Sequence, residues 1–223
     1  MGDLMSTIME LQGVTYENQG EVIIDKLSLS IKQNDFIVVN GPSGGGKSTL
    51  FKLCAHLIEP TNGTIFFHEK PASAYDPVEF RKRVSYCFQS PVLFGKSIEE
   101  NLAFPFEIRN LPYDPLRVQE LFELFEINQA IIKTNLTNLS GGEKQRLALL
   151  RNLIFVPDIL LLDEITSALD QENTVIVEKA IQKFYHDGLT ILWITHSPDQ
   201  RLRLSDKRIT IAEGKICAKE GML

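Results

Sequence analysis

The segment Phe36–Thr49, FIVVNGPSGGGKST, is the strongest indication of fold class in this chain of 223 residues. Its apolar start predicts a short buried strand over 36–39. Gly41–Thr49 fits the pattern G-x-x-x-x-G-K-[ST], and residues 47–57 have the spacing of a helix. A strand, a glycine-rich turn and a helix in this order let successive backbone N–H groups point at one anion. The segment therefore predicts a phosphate-binding loop within an α/β protein.

The sequence on either side of this loop predicts strands and helices in alternation. Apolar runs and alternating apolar positions indicate strands at 7–15, 22–31, 63–67, 84–88, 159–162 and 190–195. Helical spacing and capping residues indicate helices at 47–57, from Asp76-Pro77 onward, at 141–155 and at 172–185. Residues 206–219 suggest a closing hairpin. Such alternation implies a mostly parallel sheet with helices on both faces.

The middle of the chain, 97–139, has a different pattern. Asp114-Pro115 predicts a helix start, and apolar residues follow at helical spacing: Leu116, Leu121, Leu124 and Phe125. No linker rich in proline, glycine or serine separates this segment from its neighbours. We therefore predict a single domain that carries a mostly helical insert.

The composition is that of an ordinary globular protein, with 43% hydrophobic and 23% charged residues. This excludes a disordered or fibrous chain. The net charge of −6 argues against broad nucleic-acid binding, which relies on a basic surface, so we expect no nucleic-acid partner. The most apolar stretch, 153–162, is interrupted by Pro157 and Asp158 and is shorter than the ~20 residues of a membrane span. With an acid at position 3 and no basic leader, we expect neither a membrane span nor a secretory signal.

The cysteines are odd in number and far apart, at Cys54, Cys87 and Cys217. Their spacing fits no metal site. We predict that all three are reduced thiols in the core of a cytosolic protein.

Two acidic residues follow the predicted buried strand at 159–162. They are candidates for a second Mg²⁺ ligand and a general base, which the phosphate-binding loop itself does not supply. Lys47 in the loop is expected to contact the β- and γ-phosphates, and the Ser48 hydroxyl is expected to hold Mg²⁺. Taken alone, Asp163-Glu164 would often be a solvated turn. Beside the loop, Asp163 becomes a candidate Mg²⁺ ligand and Glu164 a candidate general base for the attacking water.

A second pair of glycines occurs at a predicted helix start, in Leu139-Ser140-Gly141-Gly142-Glu143. Ser140 and Glu143 have the spacing of a capping box, which is the simplest explanation of the segment. Two glycines in the first turn nevertheless cost roughly 1 kcal/mol each relative to alanine. Bare backbone at a helix N-terminus lets a bulky anion approach, and this favours a second phosphate contact.

These motifs, in this order, resemble the nucleotide-binding subunits of ATP-binding cassette (ABC) transporters over nearly the whole chain. Several of them would be weak alone, since an edge-strand tyrosine, a loop glutamine or a histidine at a strand end is often structural. The matching positions are Tyr16 (the adenine-stacking aromatic), Gly41–Thr49 (Walker A), Gln89 (Q-loop), Leu139–Glu143 (signature), Asp163-Glu164 (Walker B), Ser167–Asp170 (D-loop) and His196 (switch histidine).

The resemblance implies the α/β fold of an ABC-type P-loop NTPase: a mostly parallel sheet flanked by helices, an N-terminal antiparallel β subdomain and a helical subdomain. It implies one nucleotide-binding domain over 1–223, with the RecA-like core and β subdomain in 1–96 and 140–223 and the helical subdomain at about 97–139. It also implies an ATP-dependent head-to-tail homodimer in which each ATP lies between two copies. The implied ATP contacts are Tyr16, Gly41, Pro42, Ser43, Gly44, Gly45, Gly46, Lys47, Ser48 and Thr49 of one copy and Ser140, Gly141 and Gly142 of the other. The implied Mg²⁺ ligands are Ser48, Gln89 and Asp163, and the implied catalytic residues are Glu164, His196, Lys47 and Gln89.

Three short segments resemble the ATPase subunits of bacterial iron-export systems more closely: Asn101–Asn110, Asp163–Asp170 with Ile165, and Leu192–His196. This implies a small hydrophobic permease as partner and a cytoplasmic location, peripheral on the inner face of the cell membrane. Gln89–Phe94 is also similar to exporter Q-loops, but Lys133–Asn138 lacks the acidic residue typical of larger exporters. The direction of transport therefore stays open.

The sequence leaves other functions open as alternatives. An importer or a different cargo would use the same motifs, because the permease selects the cargo. Soluble ABC proteins that act on DNA or ribosomes usually carry two cassettes or long coiled-coil insertions, and neither is present here. A P-loop kinase or GTPase would leave Ser140–Glu143 unexplained.

Overall fold

The computed structural model describes residues 6–205 and 207–222. The strands are β1 (Thr7–Asn18), β2 (Glu21–Lys32), β3 (Phe36–Asn40), β4 (Asn62–Phe67), β5 (Lys70–Pro71), β6 (Val84–Cys87), β7 (Ile159–Asp163), β8 (Thr190–Ile194), β9 (Lys207–Ala212) and β10 (Lys215–Glu220). The helices are α1 (Lys47–Cys54), α2 (Pro77–Arg83), α3 (Ile98–Glu107), α4 (Pro115–Leu124), α5 (Gly141–Leu153), α6 (Gln171–His186) and α7 (Pro198–Leu204), with 3₁₀ turns at Ala72–Ala74, Gln129–Lys133 and Leu136–Asn138. The expectations for residues 1–5, 206 and 223, including the start of the predicted hairpin, lie outside the described residues.

The larger sheet has six strands in the order β10-β9-β3-β8-β7-β6. Every neighbouring pair from β9 to β6 is parallel, and only β10 is antiparallel to its neighbour. The predicted closing hairpin is β9–β10, and it forms one edge of this sheet. The carboxyl ends of β3, β6, β7 and β8 therefore face the same side, where parallel α/β sheets place their ligands.

The N-terminal strands form a separate antiparallel sheet in the order β2-β1-β4-β5. Together the two sheets and their helices confirm the predicted α/β class, the mostly parallel sheet and the antiparallel N-terminal part.

Alternate residues of the central strands pack into two different hydrophobic layers. In β3, Ile37 and Val39 join the layer that contains the antiparallel sheet and α1. Phe36 and Val38 join the opposite layer, which contains residues of α3 to α6. All five residues of β3, β7 and β8 are buried, as expected for parallel strands covered on both faces.

The chain between β6 and α5 contains two helices, α3 and α4, and two 3₁₀ turns. Asp114 caps α4 as predicted, since its side chain accepts hydrogen bonds from Leu116 N and Arg117 N. Of the apolar residues at helical spacing, Leu121 and Phe125 are buried, whereas Leu116, in the first turn of α4, is 71% exposed.

The predicted helix over 47–57 is shorter in the structure, because α1 ends at Cys54. His56 has φ 50° and its N–H donates to Leu53 O at 3.0 Å. A left-handed residue closing a helix in this way is usually glycine. A histidine in that place gives no signal in the sequence.

Two of the cysteines, Cys54 and Cys87, are buried as predicted. The prediction was wrong for Cys217, which is exposed on the edge strand β10. No described helix is long and apolar enough to cross a membrane.

Candidate active site

The glycine-rich loop after β3 takes a shape that side chains would prevent. Gly41 has φ +137°, and a Cβ there would lie 1.9 Å from Ile211 O. Gly46 has φ +100° and lies against Ile23 O and the Ile24 side chain. Gly46 also caps α1, and no side chain in the described part of the chain bonds to that cap. The first N–H groups of α1 therefore remain available to an anion.

Lys47 points back into this loop. Its Nζ donates to Gly41 O at 3.0 Å and to Pro42 O at 2.8 Å. Burial lowers the pKa of Lys47, and the nearby carboxylates of Glu164 and Asp163 partly offset that effect. The structure thus brings the predicted lysine and the two predicted acids into one electrostatic environment.

Asp163 ends β7, is only 4% exposed, and accepts a hydrogen bond from the Tyr86 hydroxyl at 2.6 Å. Burial raises the pKa of Tyr86 above its usual value, and the hydrogen bond to Asp163 adds to this effect. Sequence reasoning missed Tyr86. Its position in the strand just before Gln89 was the available signal, because neighbouring parallel strands end at one edge.

Glu164 is the first residue beyond β7 and has a left-handed backbone, with φ 48°. A non-glycine residue in that region costs about 1 kcal/mol or more, and such residues concentrate at functional sites. Its Oε1 lies 2.8 Å from His196 Nε2, and its Oε2 accepts from Gln89 Nε2 at 3.0 Å. Three of the four predicted catalytic residues are therefore in direct contact, and Lys47 lies within electrostatic range of Glu164.

Tyr16 lies beside the glycine-rich loop. It pairs with Ile24 across the antiparallel sheet, and the Ile24 side chain is the group that Gly46 approaches. The partly buried ring also packs against the layer that contains α1. The predicted contact of Tyr16 with adenine stays a prediction.

The second glycine pair lies in the first turn of α5, and the residues on either side of it, Ser140 and Glu143, form the expected capping box. Ser140 Oγ accepts from Glu143 N at 3.2 Å, and Glu143 Oε2 accepts from Ser140 N at 2.8 Å. The Ser140 hydroxyl also donates to Glu143 Oε2 at 2.7 Å, and this bond, together with the one from Ser140 N, lowers the pKa of Glu143. The cap explains Ser140 and Glu143 but not the glycines: Gly141 is exposed, and a Cβ there would meet nothing within 4 Å.

A Cβ at Gly142 would instead meet Leu169 and Asn173 of the same chain. Asn173 in turn donates to Asp170, the N-cap of α6, through both its backbone and its side chain. The signature segment thus lies against the D-loop of its own chain, with its first turn facing outward. The predicted contact of Ser140–Gly142 with the ATP of a second copy stays a prediction.

The donor atoms near the loop fit a magnesium ion. Ser48 offers a hydroxyl, Asp163 a carboxylate and Gln89 an amide oxygen, and Mg²⁺ binds such oxygen atoms together with phosphate and water. Among the described residues there is no cluster of three or more His, Cys, Asp or Glu side chains able to hold a metal alone. A metal here would thus need phosphate oxygens or water to complete its shell.

Residues 24–167 match the family model described as "ABC transporter". The chain is 42% identical over 207 residues to "Probable iron export ATP-binding protein FetA" of Escherichia coli (strain K12), and the match covers 92% of each chain. It is 33% identical over 214 residues to "Spermidine/putrescine import ATP-binding protein PotA" of Borreliella afzelii (strain PKo), spanning 94% of this chain but 61% of that one.

Among solved structures, the chain is similar to cbiO1 of Clostridium perfringens, described as part of the ABC transporter complex cbiONQ. The TM-score is 0.84 at 26% identity, over 96% of this chain and 88% of that chain. This similarity confirms the predicted ABC-type fold.

Proposed function

Because this chain belongs to the ABC transporter family, as an ATP-binding subunit and an ATPase, we propose that it drives export of iron through a separate membrane permease. The observation that carries the proposal is the identity of 42% to the iron export protein, against 33% to the polyamine import protein. Asn101, which belongs to one of the segments that resemble iron-export subunits, is fully buried.

Asn101 organises the segment that follows Gln89. Its Nδ2 donates to Phe94 O at 2.7 Å, and its Oδ1 accepts from Phe94 N at 3.2 Å and from Arg151 at 2.9 Å. Arg151 also donates to Val92 O at 2.9 Å. The segment between Gln89 and α3 is therefore held by the insert and by α5, which carries the signature glycines.

We infer that the permease docks on this segment. Apolar side chains are exposed around it: Phe88, Val92, Phe94 and Phe104. The adjoining groove has a volume of about 410 Å³ and is lined by the cations Arg81, Lys82, Arg109 and Arg151. An amphipathic cytoplasmic helix of the permease with acidic residues fits this surface in shape and charge. The subunit would then lie at the inner face of the membrane as a peripheral cytoplasmic protein.

The proposed reaction uses the groups gathered at the carboxyl edge of the sheet. The backbone N–H groups of Gly41–Thr49 bind the phosphates, Tyr16 stacks on adenine, and Lys47 exchanges its two carbonyl partners for phosphate oxygens. Ser48, Gln89 and Asp163 would hold Mg²⁺, which when bound neutralises charge on the β- and γ-phosphates.

Glu164 is proposed to orient the attacking water and accept its proton. His196 and Gln89 fix the two oxygens of that carboxylate, and His196 would also contact the γ-phosphate. Gln89 donates through its Nε2, so its amide oxygen is the atom offered to the metal. ATP joins two copies because the outward-facing turn at Ser140–Gly142 completes the phosphate shell of the partner copy, and hydrolysis removes that bridge.

The proposal is tested in the source organism by deleting the gene and measuring cell-associated iron and survival in iron plus peroxide. We expect iron to accumulate and survival to fall, with rescue by the wild-type gene and not by Glu164→Gln, a matched variant that still binds ATP. Unchanged iron content and survival would exclude iron export.

An importer function is the second candidate, and the 33% identity to a polyamine import protein favours it. The same deletion strain separates the two, because loss of an importer lowers uptake of labelled spermidine and leaves iron resistance intact.

A further inference from the structure

A buried carboxamide lies behind the candidate active site and takes no part in the chemistry described above. Gln200, on α7, is only 4% exposed. Its Oε1 accepts from Thr195 Oγ1 at 2.5 Å, and its Nε2 donates to Thr166 Oγ1 at 3.0 Å and to Glu178 Oε1 at 2.8 Å. All of its partners are buried polar groups, and they come from three different parts of the chain.

Two of these partners belong to the loops that carry the reacting side chains. Thr195 directly precedes His196, and its hydroxyl also accepts from Ser197 N at 3.1 Å. Thr166 lies two residues after Glu164, within the turn where Ser167 N donates to Glu164 O. One carboxamide thus links the loop after β7 to the loop after β8.

The third partner fixes the orientation of the carboxamide. Glu178, on α6, is 6% exposed and is held by Arg203, whose Nε and Nη2 donate to its two oxygens at 2.8 and 2.7 Å. A carboxylate only accepts hydrogen bonds, so it must face the NH₂ group of Gln200. The oxygen of Gln200 is then directed at Thr195, and the amide cannot turn over without breaking the network.

We propose that Gln200 is a positioning residue for ATP hydrolysis, which holds Glu164 and His196 at their observed separation by tying Thr166 to Thr195. The left-handed backbone of Glu164 is unfavourable without external support. Its own N–H donates to Ile194 O, and Thr166 adds a side-chain bond from the same turn to α7. Glu178 and Arg203 act through Gln200 as its anchor.

The test compares Gln200→Leu with Gln182→Leu. Gln182 also joins α6 to α7, through a bond from its Nε2 to Leu204 O at 3.0 Å, but it touches neither loop. We expect Gln200→Leu to lower kcat of the full chain by about tenfold to a hundredfold, because small displacements of reacting groups have effects of that size. KM for ATP should stay close to the wild-type value. Gln182→Leu should keep the wild-type kcat.

The histidine ring signals in NMR spectra of the nucleotide-free protein give a second readout. The chain has four histidines. In Gln200→Leu we expect the signals of His196 to shift while those of His56, His68 and His186 stay in place. Unchanged kcat and His196 signals, or equal losses of kcat in both variants, would overturn the proposal.

An exchange of the side chains of Gln200 and Glu178 keeps the proposal testable even where Gln200→Leu does not fold. Gln200→Glu alone sets two carboxylates against each other, and kcat should fall. Adding Glu178→Gln restores a donor opposite an acceptor but removes one of the two bonds from Arg203, so the double variant should recover part of the lost kcat. Equal kcat values in Gln200→Glu and in the double variant would refute the positioning role.

Discussion

Glu164 Oε1 and His196 Nε2 lie 2.8 Å apart and bridge the ends of two neighbouring parallel strands. The backbone makes the same connection, since Glu164 N donates to Ile194 O at 3.1 Å. With Gln89 on its other oxygen, the carboxylate of Glu164 is held by groups from the strands on both sides of β7. Its orientation therefore depends on the sheet and its loops together.

Replacement of Glu164 by glutamine tests its proposed chemical role. The amide has the shape of the carboxylate but cannot accept a proton, so we expect kcat to fall by about 10²-fold or more. ATP binding to the monomer should remain, because the glycine-rich loop is unchanged. ATP should then drive accumulation of a dimer, measured by sedimentation. Wild-type turnover in Glu164→Gln would remove Glu164 from the general-base role.

The hydroxyl of Tyr86 is expected to set the position of Asp163. Tyr86→Phe removes the bond of 2.6 Å without changing the ring. Loss of a group that orients a metal ligand typically weakens metal binding by about 10- to 100-fold. We therefore expect a higher Mg²⁺ concentration at half-maximal ATPase activity, and a matching shift in Mg²⁺-dependent thermal stabilisation with ATP.

Tyr75→Phe is the matched control, because the Tyr75 hydroxyl donates to Phe67 O at 2.8 Å in the antiparallel layer and does not touch Asp163. Both variants should lose about 1 kcal/mol of stability. Identical Mg²⁺ curves for the two variants would show that Tyr86 has only a structural role.

Most of the fold could be predicted from local sequence patterns. The strand Phe36–Asn40 is apolar at every position but its last. Asp76 and Asp114 each precede a proline at a helix start. In these cases the residues that determine the local structure are adjacent in sequence. Failures occurred where local sequence gives no signal. His56 closes α1 in a conformation typical of glycine, and Cys217 lies on an edge strand that leaves it exposed.

The candidate site was predictable as a set of residues but not as a network. Asp163 and Glu164 were found because they come at the end of an apolar strand in a chain with a phosphate-binding loop. His196 was found through the resemblance to ABC subunits. Tyr86 was missed because its partner Asp163 is 77 residues away in sequence. Gln200 was missed because two of its partners, Glu178 and Thr166, are 22 and 34 residues away. Such long-range hydrogen bonds are set by packing between elements, which no local pattern encodes.

The cysteines should differ sharply in reactivity. Burial raises the pKa of Cys54 and of Cys87 to about 12, so at pH 8 only about one in ten thousand of these thiols is a thiolate. Raising the pH to 9 leaves the Cys54 and Cys87 thiols protonated. Cys217 differs because it is exposed, so a thiol reagent can reach it. We expect one thiol per native chain to react with Ellman's reagent and three after denaturation. Cys217→Ser should abolish the native reaction, and rapid labelling of two or more native thiols would contradict this.

A negative charge at the start of α5 tests the proposed contact between two copies. Aspartate is a favourable N-cap, so Ser140→Asp preserves the helix start while repelling a phosphate from the partner copy. In the Glu164→Gln background we expect Ser140→Asp and Ser140→Arg to abolish ATP-driven dimerisation, measured by sedimentation, with unchanged ATP binding to the monomer. Ser140→Thr keeps the hydroxyl and the cap, and it should still dimerise. If Ser140→Asp dimerised as readily as Ser140→Thr, the outward-facing turn would not contact the ATP of a second copy, and the head-to-tail arrangement would be wrong.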